Sequence, residues 1–520
     1  MLSPAAYVGL AVAGWLSYQW YWFRQNLKKV SAIPTIGSDG FIGSYLSAWK
    51  YFVSGHKMIE EGYRKYPGGA FKVATFETPS RWLIIVVGPK LSDDIRKASD
   101  DYLASNEPTI DALQMDYTFG TDRPHTAAHH MQMFSRPMTR NIAARFPDVQ
   151  DEVVNSFKEL LPASEDWTSY TVMETILPIV TRTSNCFFVG LPLCRNREYC
   201  LTLEQFAVRL MMSAYAITLS PSFFRPIVAA LTTNVHTTQK KLRSFLGPII
   251  QDRLRMYEDS GEDNEEKPND MITWLLDLAS EDLRTTEDVV ARLLISNFAA
   301  IHTTTISLSD VLFHLAAYQE YIEPLRSEID SVISTYGWSK ESMVRLHKLD
   351  SFMKEVGRMR GVNNVTSQRK ALRDFTFSNG VVVPKGFTVG IASSAQHYDS
   401  TIYEEPELFN PNRFLPERLQ EKHDGRNLAT STENDNDPSS QVKHQMVSLD
   451  TNYILFGVGR HACPGRFFAV NELKGMAAYI LLNYDLKLPN DEKVPPPGQH
   501  FGSARSPNPS AKILFRKRRT

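Results

Sequence analysis

The sequence predicts a mainly α fold with small β-sheets (α+β), preceded by an N-terminal transmembrane helix. Three observations carry this expectation. Helical apolar periodicity dominates positions 92–350, with polar breaks near Ser164, Arg195 and 260–270. Strand-like, β-branched stretches occur near both ends, at 70–87 and 381–389. Residues 2–23 carry no charged side chain at all. With 520 residues, 42% hydrophobic and 22% charged, the chain can bury the core of one large domain. A formal net charge of -1 and the lack of a basic tract argue against a nucleic-acid partner.

Residues 1–23 are predicted to be the anchor. As a helix they reach about 33 Å, enough for a hydrocarbon core of about 30 Å. A cleaved signal would open with basic residues and close on small ones. This stretch instead closes on Trp20, Tyr21, Trp22 and Phe23, side chains suited to a membrane interface. Arg24, Lys28 and Lys29 come next, which places the rest of the chain on the cytosolic side. Positions 24–40, basic and then marked by Pro34 and Gly37, read as a hinge. Residues 41–520 form the body. Its first strands, 70–76 and 81–87, suggest a hairpin. A long helix is expected from about Thr286 to Tyr318. The run Thr303, Thr304, Thr305 predicts a local bulge there, since threonine hydroxyls bond back to carbonyls. Residues 421–445, rich in Asn, Asp and Ser, read as an exposed insertion.

The chemistry concentrates near the C-terminus. Of the four cysteines, Cys186, Cys194 and Cys200 have neither zinc-site nor disulfide-framework spacing, so a reducing compartment is expected. Cys463 differs. It sits in Phe456-Gly457-Val458-Gly459-Arg460-His461-Ala462-Cys463-Pro464-Gly465, just before an apolar helical run. Glycines there let the backbone approach something flat, and a helix N-terminus directly after the loop stabilises a thiolate.

This ten-residue pattern resembles the haem-thiolate loop of the cytochrome P-450 family, and three further stretches agree. The Ala-Ile-His-Thr-Thr version of the central helix resembles a fungal microsomal branch that includes ent-kaurene oxidases and indole-diterpene oxidases. The resemblance covers roughly positions 31–520. It implies haem (heme iron) with Cys463 as axial thiolate, framed by Phe456, Gly457, Gly459 and Gly465. On the central helix it puts Ala300 at the small-residue position and Thr303 at the oxygen-handling threonine. His302 stands where the family has an acid, which leaves its share in proton delivery open against a plain helix histidine. Glu355 and Arg358, one helical turn apart, match the family's Glu-x-x-Arg, and Arg413 supplies the third member of that structural network. His461, Arg369 and His130 are implied as haem-propionate contacts. Adjacent His129 and His130 would diverge on a helix, against a metal site of their own.

The resemblance also implies a monooxygenase that inserts one atom of O2 into a hydrophobic substrate, with a terpenoid or related secondary metabolite expected. Its electrons would come from NADPH-cytochrome P-450 reductase, with cytochrome b5 as a further donor, at the endoplasmic reticulum membrane. Arg460 and Arg466 could meet the reductase. The apolar stretch 206–231 would roof the pocket or dip into lipid, with 111–122 as the other wall. Two rivals stay open at this point: a haem-thiolate isomerase, dehydratase or desaturase, and a non-enzymatic membrane haem protein.

Overall fold

A computed structural model describes residues 3–120, 129–260, 267–416 and 444–519. The predicted insertion at 421–445 therefore lies outside the described residues except for its last two.

Four helices make the centre: Thr139–Leu160, Val172–Phe188, Thr286–Ala317 and Arg466–Asn483. Their apolar faces share one core, in which Phe157, Ile179, Leu312, Leu473, Met476 and Ile480 are all buried. The long Thr286–Ala317 helix begins as its sequence dictates. Thr285 caps it by accepting from the Asp288 amide, and Glu287 and Asp288 in the first turn oppose the helix dipole. The bulge expected at its threonines is absent. The helix is continuous, because Thr303 and Thr305 bond back to carbonyls already inside the helical ladder without opening it.

The strands from both ends of the chain meet in one six-stranded mixed sheet. Its spatial order is Thr35–Ile36, Ala70–Ala74, Trp82–Val86, Thr388–Ile391, Thr366–Ala371 and Leu103–Ala104. Ala70–Ala74 and Trp82–Val86 are the antiparallel hairpin that the sequence suggests. A second sheet joins Tyr484–Lys487, Lys512–Lys517 and Thr168–Thr171. Two short hairpins complete the β structure, Phe375–Thr376 with Val382–Val383, and Gln499–Phe501 with Ala504–Ser506.

The first helix, Pro4–Lys29, carries exposed Leu10, Leu16, Tyr18 and Trp22 along its length. It does not end at the boundary read from the sequence. Phe23 is buried against Trp82 and Phe41, and Val30 and Ile33 join the same core. Val30 and Ile33, within the stretch read as a hinge, are thus packed on the body. Among the described residues, one helix is long and apolar enough to cross a membrane by hydropathy, and it is the buried Thr286–Ala317. The Trp, Tyr and Gln side chains of Pro4–Lys29 keep that segment's hydropathy lower.

Candidate active site

The loop before Arg466–Asn483 folds around its glycines. Cys463 N–H donates to Phe456 O at 2.8 Å, and Ala462 N–H donates to Gly459 O at 3.1 Å. Gly457 and Gly459 have φ of +78° and +67°, the left-handed region that glycine enters without strain. At Gly459 a side chain is also excluded by space, since a Cβ would lie 2.8 Å from Arg96 Cγ and 2.9 Å from Arg96 O. Gly465 differs: its φ is ordinary, and a Cβ there would meet nothing within 4 Å.

Cys463 is exposed and lines a cavity of about 1890 Å³. Protein around it makes the charged form costly, so burial raises the thiol above its ordinary range. The Gly465 and Arg466 amides and the Arg466 charge oppose that rise. The sulfur is therefore set up to carry negative charge once a cation binds it.

A buried ion network holds the loop in place. Arg358 and Glu355 form a two-bond pair at 2.8 and 2.9 Å, and Arg413 Nε reaches both Glu355 oxygens at 3.2 Å. Arg358 also donates to the carbonyls of His397 and Pro406. His397 links this network to the loop. Its Nδ1–H donates to Arg358 O at 3.1 Å, which leaves Nε2 to accept from the Ile454 amide at 3.1 Å. Burial holds that imidazole neutral, with its pKa pushed down to about 3, as the acceptor role requires.

Across the cavity lies the central helix. Ala299, Thr303 and Ser307 line it, four residues apart on one face. The Thr303 hydroxyl donates to Ala299 O at 2.7 Å and is exposed into the cavity. Ala300 instead packs partly buried against an apolar cluster that includes Leu293, Leu294 and Ile301, so Ala299 is the small residue at the cavity. His302 is not among the lining residues. It is pressed toward the Glu204 main chain on Arg197–Leu219, and burial lowers its pKa.

The expected propionate contacts separate in the same way. Arg369 and His461 both line the cavity. Arg369 is buried, forms no ion pair among the described residues, and has its pKa lowered chiefly by that burial. His461 Nε2 meets Asp100 at 2.5 Å while Nδ1 accepts from Ser105 Oγ at 3.1 Å. His130 lies elsewhere. Its Nδ1 meets Arg292 at 3.0 Å, inside a buried cluster in which Arg292 pairs with Asp288 at 2.6 Å. From the same helical region, Gln132 and Ser135 are the polar groups at the cavity. Arg466, expected on an outer face, is tied to the Val447 and Cys463 carbonyls, while exposed Arg460 pairs with Asp100 at 3.4 Å.

These residues fit an anionic, planar, metal-bearing group. A thiol with converging amides supplies the ligand, and an unpaired buried guanidinium supplies the counter-charge. This is the architecture of a haem-thiolate enzyme. The sequence model of the cytochrome P450 family matches residues 46–515, and the chain belongs to that family. It is 38% identical to cytochrome P450 monooxygenase 71 of Postia placenta over 504 residues, covering 96% of both chains. Cytochrome P450 monooxygenase 110 of the same fungus is similar at 38% identity over 96% of each chain. Ent-kaurene oxidase P450-4 of Gibberella fujikuroi is 28% identical over 94% of this chain and 92% of its own. The chain is thus a P450 monooxygenase with haem as its cofactor.

Proposed function

We propose that this monooxygenase acts at the endoplasmic reticulum membrane on a hydrophobic secondary metabolite, a terpenoid first of all, with electrons from NADPH-cytochrome P450 reductase. The observation that carries the reading is the single cavity bounded by Cys463 on one side and Ala299 and Thr303 on the other. Haem bound at Cys463 supplies reductive activation of O2 and insertion of one oxygen atom into a C–H bond or alkene.

The chain's own residues do the rest. Cys463 ligates the iron, and Gly457 and Gly459 shape the loop that presents it. Arg369 would neutralise a propionate, which would remove the burial cost that Arg369 otherwise bears, and His461 would hydrogen-bond the haem edge by exchanging its contact with Asp100 or Ser105. Thr303 Oγ1 turns from Ala299 O toward the cavity, where it accepts a proton from water and passes its own on. His302 positions the helix against Arg197–Leu219, so the relay runs through Thr303 and water. Phe298, Leu113 and Val365 give the cavity apolar wall for a hydrophobic skeleton.

Pro4–Lys29 anchors the body through its segment before Phe23. A second apolar contact supports this placement. Ile42, Leu46, Trp49 and Val53 recur on one face of Phe41–Lys65 and are exposed, as are Phe223, Phe224, Ile227 and Leu231. Co-expression with a reductase and a panel of terpene skeletons tests the reading. A new oxygenated product that needs both NADPH and O2 is expected. Turnover independent of either would instead assign isomerase or dehydratase chemistry.

A further inference from the structure

The cavity has a second polar region, away from the sulfur, that neither haem binding nor oxygen chemistry uses. Glu77, His56, Tyr215, His500 and Ser503 all line it. The short hairpin Gln499–Phe501 with Ala504–Ser506 builds this end. Arg505 fixes the hairpin to the central helix through Asp310, at 2.6 and 3.0 Å. The Asn364 amide donates to Ser503 O at 2.7 Å, and the Gly502 amide to Phe52 O at 2.8 Å. Glu77 is pressed into the turn so closely that a Cβ on Gly502 would lie 2.0 Å from its Oε1.

Ser503 directs two hydrogen bonds at Glu77. The Ser503 amide donates to Oε1 at 2.9 Å, and Ser503 Oγ donates to Oε2 at 2.6 Å. Tyr51 Oη, 2.8 Å from Ser503 Oγ, then supplies its proton to that oxygen. A carboxyl group has about four acceptor positions, and two are used. No cation pairs with Glu77 among the described residues, and burial raises its pKa. Tyr215 lies close enough to sense the Glu77 charge. His56 stacks on His500 with ring centroids 3.9 Å apart, and its buried Nδ1 has no partner. The region thus offers unspent acceptor capacity on Glu77 and His56, with Tyr215 near Glu77.

We propose that Glu77, Tyr215 and His56 form a polar subsite that takes a hydroxyl group carried by an otherwise apolar substrate skeleton. The inference rests on the hydrophobic-substrate reading above and narrows it. The substrate is an alcohol, so a hydroxyl-forming step precedes this one. A neutral hydroxyl both donates to Glu77 and accepts from Tyr215, which an apolar skeleton cannot do. An ammonium group is disfavoured by Arg505 and Arg360, whose charges already reach His500.

Equilibrium dialysis of the haem-loaded full chain tests this with matched hydrocarbon, alcohol and amine forms of three skeletons: drimane, dehydroabietane and cholestane. At least one alcohol is expected to bind wild type about tenfold tighter than its hydrocarbon. Tyr215→Phe removes only a hydroxyl, and Glu77→Gln keeps an oxygen for the Ser503 amide. Each should cut that preference to less than about threefold, while unfolding midpoints and the reduced carbon-monoxide spectrum stay as in wild type. Alcohols that bind no better than hydrocarbons, a preference that survives both substitutions, or an amine that binds tighter than its alcohol would each overturn the subsite. Hydrocarbon binding separates this failure from the larger one: if neither hydrocarbons nor alcohols bind, the hydrophobic-substrate reading falls as well.

Discussion

Cys463 carries a thiol that burial keeps protonated and two main-chain amides that favour its charged form. Only a bound cation resolves that conflict, so serine, with a much less acidic hydroxyl, cannot replace it. Cys463→Ser is expected to abolish the thiolate band in the reduced carbon-monoxide spectrum together with all turnover; an unchanged band would displace Cys463 as ligand. Thr303 and His302 are neighbours with opposite surroundings. The Thr303 hydroxyl is exposed in the cavity, and the Ala299 and Ala300 carbonyls it touches keep their helical bonds without it. Thr303→Ala should therefore fold normally yet form about ten- to a hundredfold less product per NADPH, with hydrogen peroxide in its place. His302→Ala should lower the unfolding midpoint and leave coupling near wild type. The reverse pattern would put the imidazole in the relay. Residue type along one helix could not separate these cases. The family resemblance pointed to Thr303, which does line the cavity, but choosing between Ala299 and Ala300 needs the helix's rotation against its neighbours. His130 was misplaced for a similar reason, because Arg292, far away in sequence, takes its ring.

At the scale of elements, the helix Arg466–Asn483 has two sides with different electrostatics. Its N-terminal end faces the cavity sulfur, while Glu472 points into the bundle and accepts from Ser184 and Thr183 at 2.8 and 3.0 Å. No cation pairs with Glu472 among the described residues, and burial pushes its pKa from 4.5 up to about 7. Because the folded value exceeds the unfolded one, the stability this group contributes is full below the unfolded pKa. It is lost as pH rises toward about 7. Glu472→Gln keeps an acceptor for both hydroxyls and removes the charge. It should flatten the fall in stability between about pH 5 and 8 and leave the variant about 1–3 kcal/mol more stable at pH 8. Equal pH profiles in denaturant titrations of both proteins would refute this. The Glu355, Arg358 and Arg413 element was legible through the family resemblance, since a Glu–Arg pair one helical turn apart is common on helices and Arg413 lies far along the chain. The histidine that couples it to the loop was not, since His397 acts through two main-chain atoms and leaves no side-chain signature.

At the scale of the whole molecule, the fold class and the sheet hairpin could be read directly, since periodicity is local and strong in both. The point at which the first helix joins the core could not. Phe23 ends an apolar run in sequence, yet it packs on Trp82 and Phe41 as part of the body's core. Tyr18, Trp20, Tyr21 and Trp22, immediately before it, are exposed. The buried core therefore begins at Phe23, inside one helix. Two truncations separate anchoring from folding. Removing residues 1–20 should release the protein from membranes on washing with high salt, with haem content and unfolding midpoint unchanged. Removing residues 1–23 should release it too, but at a stability cost of about 3–5 kcal/mol, the range for deleting a buried phenylalanine. Both forms should retain weak binding to lipid vesicles through the exposed Phe223, Phe224, Ile227 and Leu231 face. Equal unfolding midpoints for the two truncations would show that Phe23 contributes nothing to the core. Loss of haem from the shorter deletion would make the whole first helix part of the folded body and remove it as an anchor.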